Sequence, residues 1–267
     1  MRVRQISLFI ILAFVSAVPA NAASSEENRV SDATDVLDQF LRIPEQSIPP
    51  ALLSRAYAVA VIPGVVKVGF GVGFRRGKGV LVVRQEDGSW SNPAFVSLTG
   101  GSFGFQIGAQ STDIIFVFKT RKSVDGISNG KLTLGADASI AAGPVGRQTG
   151  VATDLAFKSE VYSYARSRGL FAGVALEGAG VAMDRKANAA FYGSARITPE
   201  QIFAGSGNAA PRQANNFVQV LTAQTLRLPM GPAMNAESAT VRSQQPQQQR
   251  ESEVRTYGMN NPDESEQ

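Results

Sequence analysis

Residues 65–74 read Val-Val-Lys-Val-Gly-Phe-Gly-Val-Gly-Phe. Val and Phe are interleaved with glycine, a texture of strands and tight turns rather than of a helical bundle. Glycine inside a strand normally weakens it. Its repetition here predicts close backbone packing or sharp curvature, as at a barrel corner. Upstream, Tyr57–Ile62 (YAVAVI) is strand-like and ends at Pro63-Gly64. Downstream, Gly79–Arg84 (GVLVVR) is another strand, and Asp87-Gly88 is a two-residue hairpin signal before Ser89–Leu98. Ser102–Ala109 and Asp113–Thr120 (DIIFVFKT) follow, then the weaker Gly130–Ala142 and Gly150–Phe157. Glu160–Arg166, Leu170–Leu176 and Gly180–Met183 complete the set. About ten short strands at ~8–12-residue spacing predict a sandwich or barrel.

Helical signals flank this region. Val30, Ala33, Val36, Leu37, Phe40 and Leu41 recur at helical spacing, with Ser31 as a possible N-cap. Pro44, Pro49 and Pro50 break the pattern before a short helical stretch, Ala51–Ala56. Small helices are expected over Lys186–Tyr192 and Pro199–Ala204, a linker over Gly205–Pro211, and a further helix within Arg212–Leu228. The predicted class is mainly β (α+β): a curved, glycine-rich antiparallel sheet or barrel-like sandwich. An N-terminal helix and short peripheral helices accompany it.

The two ends read differently. Arg2 and Arg4 precede the apolar run Ile6–Val18, and Ala20-Asn21-Ala22 resembles a cleavage site. That layout predicts a signal peptide over 1–22, since a membrane span needs ~20 apolar residues. Export to a cell envelope, specifically a periplasm, is the expected location, with the protein soluble or peripheral. Residues 235–267 contain QQPQQQ and few large apolar residues, and read as a disordered tail able to recruit a protein partner.

Composition excludes much chemistry. The 267 residues include neither Cys nor His. That removes thiol nucleophiles, imidazole relays, disulfides and Cys/His metal sites. Asp113, Asp137, Asp154, Glu177 and Asp184 fall in or beside predicted strands, but no spacing selects a catalytic pair or a calcium loop. No catalytic residue, metal site or cofactor is predicted.

Charge points to a surface. The leader carries two arginines, and the tail carries three basic and six acidic residues. Setting these aside leaves 21 basic and 16 acidic residues in 23–234, a net charge of +5. Basic runs interleaved with aromatics are missing, so nucleic acid is not an expected partner. The run Gly69–Gly79 is no phosphate loop, because Lys78 is followed by Gly79 and no helix follows. It reads as strand–turn–strand, with Arg75, Arg76 and Lys78 at an exposed hairpin tip. Lys119, Arg121 and Lys122 form a second basic group at the end of the DIIFVF strand. Both groups are candidates for phosphate-bearing lipid head groups or another acidic polymer of the envelope.

An ordered series of segments resembles the SYLF domain family. It runs from AVIPGV (60–65) through GKGVLV (77–82), DGSWSNPAF (87–95), GFQIG (104–108) and DII (113–115). It continues with LGADA (134–138), AGPVGR (142–147), YSY (162–164), GLFAG (169–173) and 188–193. The likeness covers about 31–205. With the composition boundaries, the chain divides into a leader (1–22), a SYLF-like domain with its N-terminal helices (23–205), a linker with a C-terminal helix (206–234) and the tail (235–267). The resemblance implies a non-catalytic lipid-binding module, similar to domains that recognise phosphoinositides and, in endocytic proteins, bind actin filaments. Members can also meet membrane through an amphipathic N-terminal helix. Here that helix carries Asp32, Asp35 and Asp38 against Arg42, a face that anionic lipid repels. It is therefore expected to pack Val36, Phe40 and Leu41 on the sheet. The alternative is an envelope interaction module without lipid contact.

Overall fold

A computed structural model describes residues 24–42, 48–145, 158–167, 169–205 and 210–225, with the backbone alone at 69–72, 102–109 and Gln224. The leader, the tail and the strand expected at 150–157 lie outside the described residues.

The first helix, α1 (Ser25–Arg42), starts one and a half turns before Ser31. Ser24 is its cap: the Glu27 amide donates to Ser24 Oγ at 3.1 Å, and the Ser24 amide donates to Glu27 Oε2 at 2.9 Å. This reciprocal pair satisfies two amides that would otherwise lack partners, so the helix nucleates there and Ser31 is interior. Val30, Ala33, Val36, Leu37 and Phe40 are buried on its inner face, with Leu41 partly buried. A short α2 (Pro50–Ser54) follows, begun by proline at its first position.

The centre is a two-stranded ribbon. β1 (Ala58–Val83) and β2 (Ala94–Phe118) pair antiparallel from Ala58↔Phe118 to Leu81↔Ala94. Runs expected as separate short strands are therefore two long ones. Register shifts at Ile62/Val65 and Gly69/Gly71 bend the ribbon without ending it. Its ends return to each other, because the Arg84 amide donates to Tyr57 O at 2.7 Å. Gly77 and Gly79 permit this return. A Cβ on Gly79 would stand 2.1 Å from Val61 O, and one on Gly77 would stand 2.6 Å from Val65 Cγ2. Those glycines serve a crossing of β1 over its own beginning, not the tight turn expected at 75–79. The hairpin turn lies at Gln85–Ser89, with Gly88 at φ 83° and the Ser89 amide donating to Asp87 Oδ1 at 2.8 Å.

Smaller elements complete the sheet. After α3 (Arg121–Asn129) come β3 (Lys131–Thr133), β4 (Ile140–Ala142), β5 (Val161–Ser167), β6 (Leu170–Gly173) and β7 (Gly180–Met183). The order is β3-β7-β2-β5-β4, with β1 on β2 and β6 on β5. All pairings are antiparallel except β4 with β5. This is the curved, mainly antiparallel α+β sheet the sequence predicts.

Alternation along the ribbon makes two cores. Val59, Val61, Val80, Val82, Ile115 and Val117 face α1, while Ala58, Ala60, Ile62, Leu81, Ile114 and Phe116 face the α3 side. Three helices close the domain: α4 (Arg185–Tyr192), α5 (Pro199–Phe203) and α6 (Arg212–Thr225). Phe217 and Leu221 of α6 enter the core beside α1. Trp90 Nε1 donates to Thr225 Oγ1 at 3.1 Å.

Candidate functional site

Between Val65 and Gly79, β1 carries Lys67, Arg75, Arg76 and Lys78 and no acid. The facing stretch of β2, 97–112, carries no charged residue. The ribbon is thus a local concentration of positive charge carried by β1. Arg75, Arg76 and Lys78 lie within β1, which corrects their expected place at a hairpin tip. The physical reason is the crossing: Gly77 and Gly79 face Ile62, Val65 and Val61 instead of solvent.

The three cations differ. Arg76 is exposed. Arg75 is half-buried, with Nε enclosed and without a hydrogen-bond partner, and burial lowers its pKa. Lys78 extends to Asp184, the N-cap of α4, with Nζ 3.2 Å from Oδ2. Arg29 of α1 reaches the same oxygen at 3.5 Å, and its guanidinium lies 5.3 Å from the Phe95 ring centroid. One carboxylate therefore ties α1, β1 and α4 together. Burial alone would raise the Asp184 pKa. The Ala187 amide, Lys78 and Arg29 outweigh it and hold the carboxyl below its ordinary value.

Arg76 and Lys78 open onto a cleft of about 410 Å³ between Pro63-Gly64 and the first turns of α1, where Arg29 and Asp32 also line it. Arg29 was not singled out in the sequence. Its signal is its spacing: it precedes Ala33 by four residues, so a cation extends the apolar stripe of α1.

The second group has no share in that cleft. Lys119 is half-buried beyond the end of β2. Burial, then the charge of Arg55, lowers its pKa. Arg121 and Lys122 are exposed in the first turn of α3, and Arg121 pairs with Asp125 at 3.7 Å. Exposed apolar side chains occupy the ribbon instead: Val66, Val68 and Phe74 are 43%, 54% and 53% exposed. Among the described residues, no group of three or more acidic side chains is placed to hold a metal ion.

Comparison with known proteins adds a lineage. A family model described as "Ysc84: Las17-binding protein actin regulator" matches residues 99–224. "Protein YSC84" of Saccharomyces cerevisiae is 38% identical over 170 residues, covering 62% of this chain and 36% of the yeast protein. "SH3 domain-containing YSC84-like protein 1" of Xenopus laevis is 33% identical over 216 residues, 78% of this chain and 62% of the frog protein. The Homo sapiens protein of the same description is 31% identical over 229 residues, 83% of this chain and 65% of its own length. The chain thus spans about a third of the yeast relative and less than two thirds of the vertebrate ones.

These relatives overturn the expected location. They come from yeast, frog and human, whose cells have no periplasm, and the family model is described as an actin regulator. The assignment to an exported, periplasmic protein is withdrawn. The comparisons offer no support for an acidic envelope polymer as a partner.

Proposed function

The chain belongs to the Ysc84 family, and on that premise we propose that its domain docks on anionic membrane, the β1 cations holding phosphate-bearing head groups. The family is at the coarser level a lipid- or membrane-associated module with protein partners. No catalytic step is assigned to the domain.

The observation that carries the reading is Lys67, Arg75, Arg76 and Lys78 on one acid-free segment, paired to an uncharged strand. Each cation near an anionic surface contributes ~1 kcal/mol, decaying within a Debye length. Three such contacts supply ~3 kcal/mol, about two orders of magnitude in affinity at low salt. Desolvation is small for Arg76, which is already exposed, and larger for half-buried Arg75.

The test is sedimentation with phosphatidylcholine vesicles, with and without phosphatidylserine, at low and high salt. Binding should require the anionic lipid and fade with salt. A protein-docking role without lipid contact is the second reading, favoured by the Las17-binding description of the family model. Indifference to anionic vesicles at low salt would replace the first reading by the second.

A further inference from the structure

The exposed apolar side chains of the ribbon have no role in holding phosphate. Val66 and Val68 stand on one face of β1, and Phe74 shares its face with Arg76 and Lys78. Lys67 separates the two valines, and Arg75 and Arg76 follow Phe74 directly. Scattered exposed apolar residues are ordinary, but these three stand on a segment whose every charge is positive.

We propose that this arch of the β1–β2 ribbon is the membrane-entering part of the domain. Val66, Val68 and Phe74 sink into the interfacial layer of an anionic bilayer while Arg76 and the exposed part of Lys78, on the Phe74 face, meet its phosphates. The inference rests on the lipid-docking reading and names the surface that performs it.

Two features favour a bilayer as the occupant. The first is charge: an acid-free, four-cation segment complements an anionic surface over its whole length rather than at one point. The second is backbone. β2 pairs with β7 through 96–99 and with β5 through 113–118, so the stretch between has β1 as its named strand partner. Among the described residues that stretch has no second strand partner, and a ribbon with unpaired edges does not enter the hydrocarbon core, where unpaired amides are too costly. At the interface, lipid phosphates and water satisfy those edges. Aliphatic and aromatic side chains flanked by Lys and Arg suit that depth.

The helix α1 is the competing surface, and its packing argues against it. Its apolar side chains Val30, Ala33, Val36, Leu37 and Phe40 are buried in the core, while Asp32 and Asp35 face solvent.

The natural chain has no cysteine, so a single introduced thiol is a unique label. Val68→Cys, Phe74→Cys and, as reference, Asp35→Cys would each carry an environment-sensitive fluorophore in the full chain. With phosphatidylserine-containing vesicles, the labels at 68 and 74 should shift to the blue and be quenched by brominated lipid; the label at 35 should do neither. Val66→Ser/Val68→Ser/Phe74→Ser, which keeps every cation, should lose at least tenfold in vesicle affinity with unchanged circular dichroism. If vesicles bind but only the label at 35 responds, or the triple variant binds as tightly as the natural chain, the arch is overturned and lipid docking stands. If the natural chain ignores the vesicles, both fall. If the three residues are required for pelleting with actin filaments and not with vesicles, the occupant is protein and the proposal fails.

Discussion

Gly79 crosses Val61 so closely that a Cβ on the glycine would stand 2.1 Å from the Val61 carbonyl oxygen and 2.7 Å from Ile62 Cα. Backbone faces backbone there, and neither side can swing aside as a flexible side chain would. The crossing holds the start and finish of β1 together and so sets the curvature of the ribbon.

Gly79→Ala should therefore destabilise the domain by about 1–3 kcal/mol or more, the range for overpacking a tight interior. Gly101→Ala is the matched control in β2, where an added Cβ meets nothing within 4 Å. Urea denaturation should show a lowered midpoint for the first variant and none for the second. Equal midpoints would show that the ribbon relaxes at the crossing without cost.

Asp184 performs two tasks that substitution can separate. Its carboxylate caps α4 by accepting from the Ala187 amide at 3.2 Å, and it balances Arg29 and Lys78. Asp184→Asn keeps a good cap and loses the charge; Asp184→Ala loses both. The alanine variant should be less stable than the asparagine variant by about 1 kcal/mol. The pH dependence follows from the sign of the shift. The folded carboxyl titrates below its ordinary value, so its contribution is complete above the unfolded pKa of about 4. That contribution is lost as pH falls through the lower folded value. Acid titration of the natural chain should show this extra loss, and Asp184→Asn should lack it.

Trp90 is the only tryptophan, and it is buried beneath α6 with its Nε1 on Thr225 Oγ1. Thr225→Val removes the acceptor at nearly constant shape and leaves a buried donor unpaired, which costs about 1–3 kcal/mol. Ending the chain before Arg212 removes Phe217 and Leu221 as well. Its tryptophan emission should move to the red and its melting temperature should fall. An unchanged spectrum would show that α6 does not cover the indole in solution.

The strands were legible because alternation is local: Ala58–Ile62, Gly79–Val83 and Ile114–Phe118 announce themselves in five residues each. Their fusion into β1 and β2 was not legible. Pro63-Gly64 and Gly77–Gly79 look like turns, and glycine supplies a turn and a close crossing with the same residue type. Only the contact with Val61, eighteen positions away, distinguishes them. Helix α3 escaped because RKSVDGISN holds weak helix formers and an interior Gly126, and Thr120 makes no side-chain cap bond. The expected strand over 130–142 is split between β3 and β4 by a turn with Gly135 at φ 88°. At the candidate site, Arg75, Arg76 and Lys78 were visible as a cluster, while Lys67, eight residues upstream of Arg75 on the same strand, was not. Their unequal burial and the arrival of Arg29 depend on how α1 docks, which no local pattern encodes.

That inequality gives the sharpest expectation for lipid docking. Arg76 is exposed, so Arg76→Ser removes one surface cation and no internal partner. Vesicle affinity should fall about fivefold at low salt, the equivalent of ~1 kcal/mol, with the melting temperature unchanged. Lys78 also faces the cleft, but it shares Asp184 with Arg29, and nearly half of its side chain is exposed. Solvent screening limits that pair to about 1 kcal/mol or less, so Lys78→Ser should weaken both vesicle binding and, slightly, stability. Lys122→Ser, in α3 and outside the cleft, should leave vesicle affinity little changed. Titrating the three variants against the same anionic vesicles at two salt concentrations ranks them. A fall for Lys122→Ser as large as that for Arg76→Ser would mean that long-range net charge, rather than the β1 surface, attracts the domain to the membrane.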